Sequence, residues 1–243
     1  MFKVKEYVER KLPPVCIAHR GFSSLYPENT LLAFRKAIEA GAQVIELDIR
    51  TSKDNELIVF HDPTLKRLAD LEVEVSSLKF KELREIDLGL GQRIPSFREV
   101  LEVVASRVGL NIHMYVGGWA IDKVIELCDE KKILDSVFLA LPFREEILRI
   151  KRDYPDVYAC SGYGASREDY IELTLELGAE ILQPPFGAKY LTRKWVEKAH
   201  ENNLVVEVFY ADTYSNMRRL KRLNVDGVLT NNPPTFFQVF KDR

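Results

Sequence analysis

The chain has 243 residues, 46% hydrophobic and 30% charged, with 35 basic residues against 37 acidic and a formal net charge of −2. This globular composition offers no broad basic field for nucleic acid or an anionic membrane. Its three scattered cysteines, Cys16, Cys128 and Cys160, form no CxxC pair that would suggest a disulfide framework or a zinc knuckle.

The N-terminal stretch MFKVKEYVERKLPP lacks the apolar core of a signal peptide, and no uncharged run reaches membrane-spanning length. A cytoplasmic protein with no membrane span is expected. VCIAH (15–19) reads as a strand, NTLLAFRKAIEAG as an amphipathic helix and QVIELDI (43–49) as a second strand. TSKDNELIVFHD (51–62) breaks the alternation. Its turn is too short for a crossover helix, so LIVF must return antiparallel as a hairpin extension of the second strand, bringing His61 back to the strand ends. Residues 62–94 carry a charged helix, SLKFKELREID, and a Gly-rich loop, LGLGQR, and read as a small insertion. After the helix SFREVLEVVASRVG come six more strands: LNIHMY (110–115), SVFLAL (136–141), VYACS (157–161), EILQPP (180–185), LVVEVFY (204–210) and DGVLT (226–230). Several of the intervening helices open after Asn, Ser or Thr and close at Gly or Asn, as capping chemistry requires.

Eight strands alternating with helices predict an α/β fold. At about 250 residues the expected form is a closed parallel (β/α)8 TIM barrel, here with the hairpin extension and the insertion after strand two. An open doubly wound sheet would usually carry a Gly-rich loop after its first strand, where this chain has only HRGF. No repeat, low-complexity tract or linker divides the sequence, so residues 1–243 are expected to form one domain that contains the insertion.

In such a barrel the chemistry sits at the C-terminal ends of the strands. There the first strand presents His19, a proton carrier near neutral pH, and Arg20, a planar fork for an anion. Glu46 and Asp48 lie two apart on the second strand and share a face, opposite the apolar Ile45, Leu47 and Ile49. Two inward carboxylates about 6–7 Å apart at Cα need a divalent cation or an arginine partner. His61 adds a second proton carrier. The alternation in LNIHMY turns Asn111, His113 and Tyr115 to the same inward face. An acid–base pair, an anion fork and a metal site are the parts needed to cleave a phosphate ester.

The run from Ile17 to Arg67 closely resembles the glycerophosphodiester phosphodiesterases. It matches that family's HRG (His19-Arg20-Gly21), PENT (Pro27-Glu28-Asn29-Thr30), GA (Gly41-Ala42), IExD (Glu46, Asp48) and TxDxxxVVxHD (Asp54, His61-Asp62), with TLxR following. IPSFREVLEVV and VDGVLTNNP resemble later family segments. The resemblance implies a (β/α)8 barrel that hydrolyses a glycerophosphodiester to glycerol phosphate and an alcohol. It implies His19 and His61 as acid and base, Arg20 on the phosphate, and Glu46 and Asp48 on one divalent cation, usually magnesium or calcium. Three places depart. His113 stands where the family has a metal-binding glutamate, and Tyr115 where it has a phosphate-binding lysine. Ala140-Leu141 replaces Ser-Phe, and Phe209-Tyr210 replaces Trp-Thr, whose tryptophan lines the glycerol pocket.

A set of His113, Glu46 and Asp48 suits manganese, cobalt or zinc as well as magnesium or calcium. The expected function is therefore a metal-dependent phosphodiesterase with altered metal or substrate preference, acting on a small-molecule phosphodiester held in part by Arg20, Tyr115 and Phe209. The alternatives are a barrel that binds a phosphodiester or polyol phosphate without turnover, and a lysophospholipase-D-like activity with Leu71, Val73, Val75, Leu88 and Leu90 lining an acyl groove. Trp119, Asp212 and Asn231 are further residues expected near the mouth.

Overall fold

Alternating apolar runs and capped helices give the computed structural model nine strands, described over residues 2–104 and 106–240. They are β1 (Val15–His19), β2 (Val44–Thr51), β3 (Leu57–Val59), β4 (Gly109–Met114), β5 (Val137–Leu141), β6 (Tyr158–Ser161), β7 (Ile181–Leu182), β8 (Val205–Val208) and β9 (Gly227–Thr230). The sheet runs β1-β9-β8-β7-β6-β5-β4-β2, and β1 also pairs with β2, which closes an eight-stranded parallel barrel. β3 lies outside the ring, antiparallel to β2, with Ile49 opposite Val59 and Thr51 opposite Leu57. This is the expected barrel with its hairpin arm.

Helices follow the strands because their ends are satisfied locally. Thr30, Thr192 and Thr213 each accept a hydrogen bond from the backbone N–H three residues on, and Gly178 and Asn224 close helices in the left-handed conformation. The helix expected over 96–109 runs Phe97–Val104, and residue 105 lies outside the described residues. Residues 1 and 241–243 of the expected domain are likewise outside them. β7 has two residues rather than six, because Pro184 and Pro185 supply no N–H to continue the ladder.

Strand parity sorts the side chains. Ile45, Leu47 and Ile49 pack outward on the helices, while Ile17, Val44, Phe138, Cys160, Ile181, Val205 and Leu229 fill the barrel. The N-terminal helix Val4–Val8 stops the lower end, its Tyr7 rising into the interior. The insertion has its own core of Leu65, Val75, Leu83, Leu88 and Ile94 over Ile58 and Phe60. Val75 and Leu88 are thus used for packing, whereas Leu71 and Leu90 are exposed. The charged helix expected within 77–87 is only Phe80–Leu83, preceded by a short helix at Lys66–Ala69 that the sequence pattern did not suggest. Asp54, in the matched motif, accepts from Ser52 Oγ (2.7 Å) and from the Phe80 N–H (2.8 Å), tying hairpin to insertion. Among the described residues no helix is long and apolar enough to cross a membrane.

Candidate active site

The turn after β1 sets the first group. Arg20 (φ 56°) and Gly21 (φ 82°) both take left-handed backbone, and a Cβ on Gly21 would lie 2.7 Å from the Ala33 backbone, so only glycine fits. The turn aims the Arg20 N–H at Glu46, where it donates to both the backbone carbonyl (3.0 Å) and Oε2 (2.9 Å). β2 places Asp48 next on the same inward face, and the hairpin returns through the Phe60 N–H, which donates to the Asp48 carbonyl (2.9 Å). His61 is thereby returned to the strand ends, where it lines the same cavity as Asp48, as the hairpin return predicts.

The two buried carboxylates divide their oxygens. Glu46 gives Oε2 to Arg20, and Asp48 gives Oδ2 to Asn29 Nδ2 (2.7 Å). Arg20 Nε also lies 3.2 Å from Asp48 Oδ2, an ion pair at an angle too poor for a hydrogen bond. That leaves Glu46 Oε1 and Asp48 Oδ1, and both face His113 Nδ1, at 4.0 and 3.8 Å. Asp48 Oδ1 is buried with no hydrogen-bond partner. The three donor atoms offered by Glu46, Asp48 and His113 lie within 4.8 Å of one another, too far apart to bond directly and close enough to share one cation. Burial, reinforced by the Asp48 charge and only partly offset by Arg20, pushes the Glu46 carboxyl well above its ordinary range. Burial also lowers His113, leaving its nitrogen free to act as a ligand. The donor set fits a divalent cation.

Two imidazoles flank this centre. Asp212 accepts from Asn231 Nδ2 (2.7 Å), which turns Asn231 Oδ1 to His19 Nδ1 (2.8 Å). That network assigns the His19 proton to Nδ1 and leaves Nε2 facing the site, 4.0 Å from Glu46 Oε2. Burial first, then the Arg20 charge, lowers His19 to about 4. His61 Nδ1 is bonded to Asp62 Oδ1 (2.6 Å), which likewise frees its Nε2. Arg67, from the insertion, binds Asp62 Oδ2 through Nε (2.6 Å) and grips Glu28 with both terminal nitrogens (2.9 and 2.7 Å). Glu28 in turn holds Arg20 Nη1 (2.8 Å). Burial opposes ionisation of Glu28, but the two arginines overcome it and hold the carboxyl below its ordinary value.

His19, Arg20, Glu46, Asp48, His61, His113, Tyr115 and Phe209, all expected at the site, line one cavity of about 330 Å³ with Pro142, Gly162, Ala165, Gln183 and Leu229. Tyr115 stacks on His113 (4.5 Å) and meets His61 edge-on (5.3 Å), while Phe209 and Tyr210 pack on His19. Trp119 is half exposed and does not line this cavity. Asn111, expected at the mouth, lies a layer deeper and donates to the buried Glu207 (2.9 Å).

The sequence pattern of the Glycerophosphoryl diester phosphodiesterase family matches residues 19–235. The chain belongs to that family. It is thereby one of the phosphoric diester hydrolases. A glycerophosphodiester phosphodiesterase of Caldanaerobacter subterraneus subsp. tengcongensis is 28% identical over 239 residues, covering 93% of this chain and 97% of that one. A solved glycerophosphodiester phosphodiesterase of Thermotoga maritima is 30% identical with TM-score 0.79, covering 94% of this chain and 99% of that one. A phosphodiesterase of Oleispira antarctica, solved with the product sn-glycerol-3-phosphate, shares the fold at 21% identity and TM-score 0.87, covering 96% of this chain and 99% of that one.

For this family member, sequence reasoning passed over the roles of Glu28, Asp62 and Arg67, although all three sit in motifs it matched. It also passed over Glu207, whose signal was a lone charge on the inward parity of LVVEVF. Glu207 is fully buried and raised to about 8, chiefly by burial.

Proposed function

We propose that the protein is a divalent-cation-dependent hydrolase of glycerophosphodiesters, releasing glycerol phosphate and an alcohol, with His19 and His61 as its acid–base pair. The observation that carries this reading is the arrangement of two imidazoles, each with Nδ1 anchored and Nε2 free, around three converging metal-ligand atoms in one cavity. Glu46, Asp48 and His113 would hold the cation, which supplies charge stabilisation to the phosphoryl oxygens. His19, bonded to a neutral amide and beside Arg20, is suited to accept a proton from the attacking oxygen. His61 has the Asp62 carboxylate as counter-charge for an imidazolium, which suits it to protonate the departing oxygen. Arg20 orders the carboxylates and presents its charge to the same cavity. Phe209 and Tyr115 give the substrate's carbon skeleton an apolar wall.

The imidazole ligand favours manganese, cobalt or zinc over magnesium or calcium. Three buried free thiols suit a reducing compartment, which is why we place the protein in the cytoplasm. The test is hydrolysis of glycerophosphodiesters and bis(p-nitrophenyl) phosphate with magnesium, calcium, manganese, cobalt and zinc in turn. Turnover is expected with the transition ions at least, and His113→Glu moves the preference towards magnesium and calcium. Absence of turnover with all five ions refutes the reading and leaves a barrel that binds without reacting.

A further inference from the structure

β2 carries a third polar residue on its inward face, Arg50, one rung outward of Glu46 and Asp48. The arginines Arg20 and Arg67 at this mouth are each held by two carboxylates. Arg50 is different. Its Nε donates to the His61 carbonyl (2.7 Å), and its guanidinium lies 4.5 Å over the Tyr115 ring. Among the described residues no carboxylate forms an ion pair with it, and the Nε bond to His61 is its one side-chain hydrogen bond. A half-buried cation so held is preorganised, with its terminal edge unspent.

Its neighbours decide what it can touch. His113 stacks on Tyr115 at 4.5 Å, and Arg50 lies over the same ring at 4.5 Å. Arg50 is not among the residues lining the cavity that holds Glu46, Asp48 and His113, whereas its two contacts, Tyr115 and His61, are. A phosphate at those three residues is thus separated from Arg50 by the cavity wall. A substituent projecting from that phosphate past Tyr115 and His61 would come within its reach.

We propose that Arg50 is an anion subsite for a second, non-transferred negative group, so that the preferred substrates are phosphodiesters whose projecting alcohol carries a carboxylate or a phosphate. This rests on the phosphodiesterase reading above. The subsite restores at the rim a positive charge that Tyr115 does not supply, and it selects against a cationic alcohol.

The test compares two diesters of matched length, glycerophosphopropanol and its carboxylate analogue, glycerophospho-3-hydroxypropionate, with saturating manganese. The wild type is expected to favour the carboxylate about tenfold or more in kcat/KM, mainly through KM, as charge-assisted hydrogen bonds do. In Arg50→Gln the ratio falls to within about twofold of one, whatever happens to the absolute rates. A wild-type ratio near one, or a ratio that survives Arg50→Gln, overturns the subsite and leaves the phosphodiesterase reading standing. Hydrolysis of neither diester removes both. If Arg50→Gln is inert on both substrates through its loss of the His61 contact, the salt dependence of the wild-type ratio decides. A ratio that falls as ionic strength rises supports the subsite, and one that does not refutes it.

Discussion

Asp48 shows how one residue is divided between structure and chemistry. One oxygen is spent on Asn29 and Arg20, and the other is buried, bare and aimed at His113. The same economy reaches outward through side chains only: His61 to Asp62, Asp62 to Arg67, Arg67 to Glu28, Glu28 to Arg20 and Arg20 to Asp48. Arg67 closes this chain without lining the cavity, so it acts as a positioning residue. Arg67→Ala is expected to lower kcat/KM by about 10–100-fold, the usual effect of removing such a support, and to alter the pH–rate profile, because Arg67, against the effect of burial, helps hold the Asp62 carboxyl below its ordinary range. Arg67→Lys keeps the charge but not the bidentate fork and should recover only part. An unchanged rate and profile would show the chain to be ornamental. The individual site residues were legible in the sequence because HRG, IELD and HD keep them within a short span. Their connection was not, since Glu28 and Arg67 meet only after the hairpin and insertion have folded back.

At the scale of elements, strand and helix alternation was readable from period alone, and so was the antiparallel return of β3. The stopper of the barrel was not. A five-residue helix, Val4–Val8, has too little pattern to announce itself, and its Tyr7 reaches a partner on β8, the hydroxyl lying 3.3 Å from Glu207 Oε2. The fit needs Gly227 on β9, where a Cβ would come within 2.3 Å of the Tyr7 hydroxyl and 3.0 Å of the Glu207 Cβ. Gly227→Ala should therefore destabilise the fold by about 1–3 kcal/mol through overpacking, read as a lower urea midpoint. Adding Tyr7→Phe should return part of the loss by removing the crowding oxygen. If the single variant matches the wild type, the helix does not seat as described.

For the whole molecule, the barrel axis carries acid at two levels: the Glu46–Asp48 pair at the mouth and Glu207 beneath it, surrounded by Asn111, Cys160 and Tyr7. Glu207 titrates near 8 when folded, above its ordinary 4.5, so the folded state holds a proton that the unfolded chain gives up. Its contribution to stability is complete below about pH 4.5 and is lost as pH rises through about 8, with a slope of at most about 1.4 kcal/mol per pH unit. Urea midpoints at pH 5 and pH 8 should differ less in Glu207→Gln than in the wild type. An identical pH dependence in both would place the ionised carboxylate comfortably in the barrel.

We propose that Glu46, Asp48 and His113 together hold one divalent cation between His19 and His61. A crystal grown with manganese, with anomalous scattering measured at the metal edge, tests it most directly. A single strong peak bounded by Glu46 Oε1, Asp48 Oδ1 and the His113 imidazole is expected. A peak held by the carboxylates with His113 turned away, or no peak in this cavity, would contradict it.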